Sequence, residues 1–125
     1  MEWRVEITDD FRRWWSRLTE GEQEDLAASA ILLSEWGPYP RFPHSSWINA
    51  SRHRHMREIR IRSGGHPFRL MYAFDPKRVA IVLVGGEKGP KGRCYQQHVT
   101  RADWVYDRHL RQVQPELDHE QGRAQ

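Results

Sequence analysis

Residues 56–95, MREIRIRSGGHPFRLMYAFDPKRVAIVLVGGEKGPKGRCY, decide how the rest of the chain is arranged. Ile59 and Ile61 alternate with charged neighbours, Phe68, Leu70, Tyr72 and Phe74 alternate again, and the stretch from Val79 to Val84 is mostly β-branched. A period of two marks strands that bury one face. Ser63-Gly64-Gly65-His66-Pro67 and Asp75-Pro76-Lys77-Arg78 supply turn chemistry between the runs. The reading is a three-stranded antiparallel meander with a basic, glycine-rich exit.

Slipping a strand by one residue turns its whole apolar set to the wrong face, so the pattern also constrains register. With Ile59 and Ile61 on the face of Leu70 and Tyr72, Ile61 is expected opposite Leu70 and Arg62 opposite Arg69, so that Arg60, Arg62 and Arg69 point the same way. Carried through the second turn, the register sets Phe74 beside Val79 and Arg69 beside Val84, and the chain leaves toward Lys88 at the arginine end. Like charges facing each other across a sheet are destabilising, which calls for an anionic partner.

Charge is segregated along the chain. The total is +3, yet residues 41–99 hold twelve Lys/Arg against Glu58, Asp75 and Glu87, while residues 1–40 and 100–125 are net acidic. A basic sheet flanked by acidic helices suits a polyanion. At 125 residues the chain is long enough for one core without disulfides or metal. One domain over residues 1–114 and a polar tail over 115–125 are expected. Cys94 has no second cysteine to pair with, no apolar run reaches the roughly 18 residues of a membrane span, and no signal peptide is read, so a cytoplasmic, non-membrane protein is expected.

Outside the meander, Trp3, Val5 and Ile7 alternate with Glu2, Arg4 and Glu6 as a first strand would. Thr8 is placed to cap a helix carrying Phe11, Trp14, Trp15 and Leu18, and Thr19 with Glu22 forms a capping box for a second helix ending at Gly37-Pro38. Together they predict a helical hairpin on the apolar face of the sheet, with the two tryptophans in the core. Residues 39–55 read as a loop. Its histidines, His44, His53 and His55, have no nearby cysteine, and zinc sites use closely spaced Cys/His pairs, so neither metal nor cofactor is expected. The glycines after the third strand lack the Gly-x-x-x-x-Gly-Lys-Ser/Thr of a phosphate loop. Thr100 with Asp103 predicts a last helix bearing Ala102, Val105, Tyr106, Leu110 and Val113 and ending near Pro115 or running slightly past it.

The element order and several motifs resemble the RelE/ParE superfamily of type II toxins. Met56-Arg-Glu-Ile-Arg60, Gly64 to Pro76, Ile81 to Lys88, and Ala102-Asp103 with Tyr106-Asp107 and His109-Leu110 are similar to the HigB-like, phage-related branch, over about residues 2–112. The resemblance implies an α+β fold: an N-terminal strand plus the meander in a mostly antiparallel sheet, packed on a helical hairpin, with a C-terminal helix. It implies a toxin that cuts mRNA in the ribosome without metal and is silenced by a cognate helix-turn-helix antitoxin, touching operator DNA only through that partner. In such chemistry the ribose 2′-hydroxyl attacks the adjacent phosphate, which requires a proton acceptor, cations for the phosphate and a proton donor for the leaving oxygen. By position, Arg60, Arg69, Lys88 and Tyr95 are the expected catalytic residues, and Arg54, Arg57, Arg62, Lys91 and Arg93 the expected RNA contacts. Lys91 or Arg93 could take the place of Lys88. The base stays open among His55, His66 and His98; Glu58 shares the face of Arg60 and is expected to form an ion pair there. Two other readings stand beside this one: a gyrase-directed toxin without nuclease activity, and a non-catalytic nucleic-acid-binding module. The partly apolar side expected from Met71, Ala73, Val82 and Val84 would be covered by the antitoxin.

Overall fold

The computed structural model describes residues 3–37, 45–48, 50–87 and 93–123. In chain order these form β1 (Val5–Ile7), α1 (Asp9–Trp15), α2 (Glu20–Trp36), β2 (Ser45–Trp47), β3 (Arg57–Ser63), β4 (His66–Phe74), β5 (Ala80–Glu87) and α3 (Arg93–Arg123). The strands make one sheet in the order β1-β5-β4-β3-β2, antiparallel throughout except for the parallel β1/β5 pair. The α+β architecture expected from the sequence is the one observed.

Local chemistry explains the helical hairpin. The Thr8 side chain accepts the Phe11 N–H and its hydroxyl donates to the Leu83 carbonyl at 2.7 Å, so one residue caps α1 and pins it to β5. Thr19 and Glu22 form the reciprocal capping box of α2. Gly37 ends that helix at φ 57°, and a side chain there would run into the Trp3 indole. Phe11, Leu26 and Leu33 then pack with Ile59, Phe68, Leu70, Tyr72 and Val82 on one face of the sheet, flanked by Trp14 and Trp15.

The other face is covered by α3. Met71, Ala73, Ile81, Leu83 and Val84 pack against Val99, Ala102, Val105 and Tyr106. This overturns the expectation that an antitoxin covers Met71, Ala73 and Val84; the chain's own last helix does so, and Val82 lies on the opposite face. The helix also starts earlier than Thr100 and runs well past Pro115, which places Tyr95 in its first turns.

Three further expectations are corrected. The 39–55 stretch contains β2, an edge strand pairing Ser45 with Ile59 and Trp47 with Arg57, so the sheet has five strands. The first hairpin turns on two residues only, Gly64 (φ 57°) and Gly65 (φ 82°), with Ser63 paired to His66. Register therefore moves by two residues from the expected one: Ile59 faces Leu70, and Arg60, rather than Arg62, faces Arg69. Faces survive a two-residue shift, so the three arginines still share a side. Between β4 and β5 a bulge carries the pairing from Tyr72–Val82 to Met71–Val84, and Arg69 comes to stand beside Gly86, not Val84. One extra residue on one strand reverses the alternation beyond it. Gly85 consequently meets Trp14, whereas Gly86 lies under His98 of α3.

Candidate active site

Midway along the β3–β4 ladder, on the sheet face reached by the first turns of α3, the directly opposed arginines Arg60 and Arg69 meet a buried carboxylate. Glu58, 1 % exposed, holds Arg60 Nη2 at 3.1 Å with Oε1 and approaches Arg69 Nε to 2.6 Å with Oε2. Ser46, on β2, donates to the same Oε1 at 3.4 Å. The anion demanded by the facing arginines is thus supplied by the chain itself, two residues before Arg60 on the same face.

The two guanidiniums are unequal. Arg69 is buried at 5 % exposure, whereas the Arg60 side chain is 59 % exposed. Arg69 is fixed from both sides, since its Cζ also lies 4.2 Å over the Tyr95 ring. A buried guanidinium held by a carboxylate and stacked on an aromatic ring is a preorganised cation, which is what a developing phosphorane charge requires. Burial, and next the Glu58 charge, push the Tyr95 hydroxyl above its usual range, with Arg69 and Arg60 opposing and a hydrogen bond to Glu58 adding to the rise. At neutral pH it is a proton donor.

Of the three histidines left open, only His98 is brought to this cluster. Its ring sits over Gly86, where a Cβ would come within 2.2 Å of it. Burial, then the charges of Arg69 and Arg101, lower its proton affinity, so at pH 7 it is neutral and able to accept a proton. His66 instead pairs with Glu87 at the exposed hairpin end, and His55 lies beside Trp47.

The remaining expected residues are spread out. Arg62 is exposed on the Arg60 side of β3. Arg57 is buried on the other face, its Cζ 4.3 Å over the Trp47 ring, and the fold does not bring it to the cluster. Arg54 is exposed in the turn before β3. Lys88 and Lys91 lie outside the described residues, as does the side chain of Arg93. His53 engages Asp107 at 2.8 Å and packs edge-on to Tyr106. Sequence reading missed two contributors, Ser46 and Gly86, because β2 is too short and polar to carry a strand pattern and the bulge has no residue signature of its own.

A family model described as phage-derived protein Gp49-like matches residues 13–107, well over half of the chain. The chain belongs to the phage-derived Gp49-like family. Two Mycobacterium tuberculosis relatives, both toxins by name, align with this Gp49-like chain at 32 % identity: HigB2 over 114 residues, 90 % of this chain and 56 % of the relative, and HigB3 over 111 residues, 84 % and 96 %. The chain therefore spans only about half the length of HigB2. Among solved structures, a mutant of the E. coli toxin RelE in the free state superposes with a TM-score of 0.61 at 16 % identity, covering 82 % of this chain and 95 % of RelE. The archaeal RelE-RelB complex from Pyrococcus horikoshii gives 0.53 at 21 %, covering 72 % and 99 %. At such identities these neighbours establish a RelE-type fold for the Gp49-like chain.

Proposed function

We propose that this protein is the toxin of a type II toxin-antitoxin system and acts as a ribosome-dependent, metal-independent mRNA endoribonuclease, neutralised by a cognate helix-turn-helix antitoxin. The observation that carries the reading is the Arg60–Glu58–Arg69 cluster capped by Tyr95 and His98. It gathers, on one face of the sheet, the group types that 2′-hydroxyl attack on a phosphate needs. Toxin relatives at 32 % identity and a neighbour solved with RelB support the toxin and antitoxin parts of the reading.

In this mechanism neutral His98 takes the 2′ proton as the hydroxyl oxygen bonds to phosphorus. Arg69, with the more exposed Arg60, stabilises the added negative charge on the phosphorane. Tyr95 donates a proton to the departing 5′ oxygen, leaving a cyclic 2′,3′-phosphate and a 5′-hydroxyl. Glu58 touches none of the reacting atoms; it positions both arginines. Lys88, Lys91 and Arg93, in the basic exit after β5, add charge for the flanking message.

Inducible expression of the wild type and of Arg69→Ala in bacteria, with growth followed and messenger 5′ ends mapped, tests the reading. Growth arrest with new cuts inside translated codons, abolished in Arg69→Ala, is expected. Arrest with intact messages would overturn it and point to a protein target such as gyrase.

A further inference from the structure

The outward side of α3 carries an aromatic that the proposed site does not use. Trp104 is 54 % exposed and borders a shallow depression of about 450 Å³ lined by Gln96, Gln97, Thr100, Arg101 and Trp104. At 3.6 residues per turn, Gln97 and Trp104 fall on one outer stripe, with Arg101 and Arg108 on the adjoining flank. Arg108 Cζ lies 5.1 Å from the indole centroid, one turn further along, which steadies the ring while the depression on its N-terminal side stays open.

Charge around this ring is one-sided. Arg101, Arg108 and Arg13 all converge on the single carboxylate of Asp10, so positive charge is in excess there. The two acids of the same helical stretch are engaged elsewhere: Asp103 accepts from the Ser51 hydroxyl and the Arg52 amide, and Asp107 holds His53 and Arg52. The stripe is also continuous with the candidate site, because Arg101 follows His98 by one turn of α3.

We propose that Trp104 and Arg101 form a second nucleotide subsite, in which a base of single-stranded RNA stacks on the indole and an adjacent phosphate rests on the Arg101 guanidinium. The inference rests on the RNA reading above and extends it across α3. A stacking ring beside a cationic track is the arrangement that holds single strands with little sequence preference. The exposed lining of the depression is almost wholly apolar and bears one ring, which suits a single stacked base, whereas a protein partner would call for a broader apolar patch.

The test is fluorescence anisotropy of the full chain with a short, uniformly 2′-O-methyl, single-stranded RNA that cannot be cut, at low and at physiological salt. Trp104→Ala is expected to weaken binding by roughly tenfold, with Trp104→Phe recovering most of the loss. Arg101→Ala is expected to weaken binding and reduce the salt slope by about one. Melting curves of the variants report whether the fold is kept, and the Phe variant separates stacking from packing. Affinity unchanged within about twofold in Trp104→Ala, or no binding by the wild type, overturns the subsite, as does a Trp104→Ala effect confined to a protein complex. Messenger cuts that persist while this binding effect is absent leave the nuclease reading standing without the subsite. Trp104-dependent RNA binding with no cuts does the reverse.

Discussion

Glu58 turns two like charges that should repel across a hairpin into one ion-paired cationic site, and Gly86 determines what can approach it. The His98 ring occupies the space that a side chain at position 86 would fill, with Cε1 2.2 Å and Nε2 2.7 Å from an ideal Cβ. Gly86→Ala should therefore swing the imidazole away while the strand stays paired, since the obstructing atoms are the far end of a rotatable side chain. The expected outcome is a fall in messenger cleavage of about a hundredfold, the order of a lost acid-base group. A stability loss of only about 1 kcal/mol should accompany it in urea unfolding. Equal losses of cleavage and of folded protein would show that position 86 serves packing alone. At this scale simple alternation put Arg60, Arg69 and the Glu58 ion pair on one face, and the family resemblance, not periodicity, singled out Tyr95. The sequence could not choose among three histidines, because only the packing of α3 on β5 brings His98 to Arg69.

The β3–β4 hairpin shows how a two-residue difference in a turn changes which arginines meet. Read as a five-residue turn, Ser63 to Pro67 puts Arg62 opposite Arg69; closed on Gly64-Gly65, it puts Arg60 there. Two-residue hairpins with both central residues at positive φ match the right-handed twist of the strands, which is why the tighter closure wins. Nothing lies within 4 Å of a Cβ at either glycine, so the cost of a side chain there is conformational. Gly65→Ala should destabilise by about 1–2 kcal/mol. Gly65→Asn should cost less, because Asn tolerates the left-handed region, and paired denaturation curves would separate the two. Equal costs would mean the hairpin relaxes into another turn. Capping residues were the most legible feature at this level: Thr8, Thr19 with Glu22, and Gly37 each act where local chemistry puts them.

The whole molecule is a sheet between two helical layers, and Asp10 links the layers. Its carboxylate, 8 % exposed, sits in the first turn of α1 and gathers Arg13 of its own helix and Arg101 and Arg108 of α3. Burial alone would raise its proton affinity; the hydrogen bond from Arg108 and the charges of Arg108, Arg13 and Arg101 outweigh burial and hold it below 3.8. A carboxylate whose folded value is depressed contributes stability above its unfolded value and loses it as pH falls through the folded value. Asp10→Asn should cost about 1–2 kcal/mol at pH 7, discounted for the solvent exposure of its partners. The difference from wild type should shrink below pH 3.8 and vanish under stronger acid. Urea titrations at both ends of that range check it, and a pH-independent difference would assign the loss to packing.

The caps, the basic face and every element except β2 followed from the sequence alone, because helix periodicity, strand alternation and turn residues are set by neighbours a few positions apart. The parallel pairing of β1 with β5, the β5 bulge, the short edge strand β2 and the covering of the arginine-bearing face by α3 were decided only by tertiary structure. Each depends on contacts between segments distant in the chain. The site belongs to both levels: alternation put Glu58, Arg60 and Arg69 on one face, and the docking of α3 delivered Tyr95 and His98 to them.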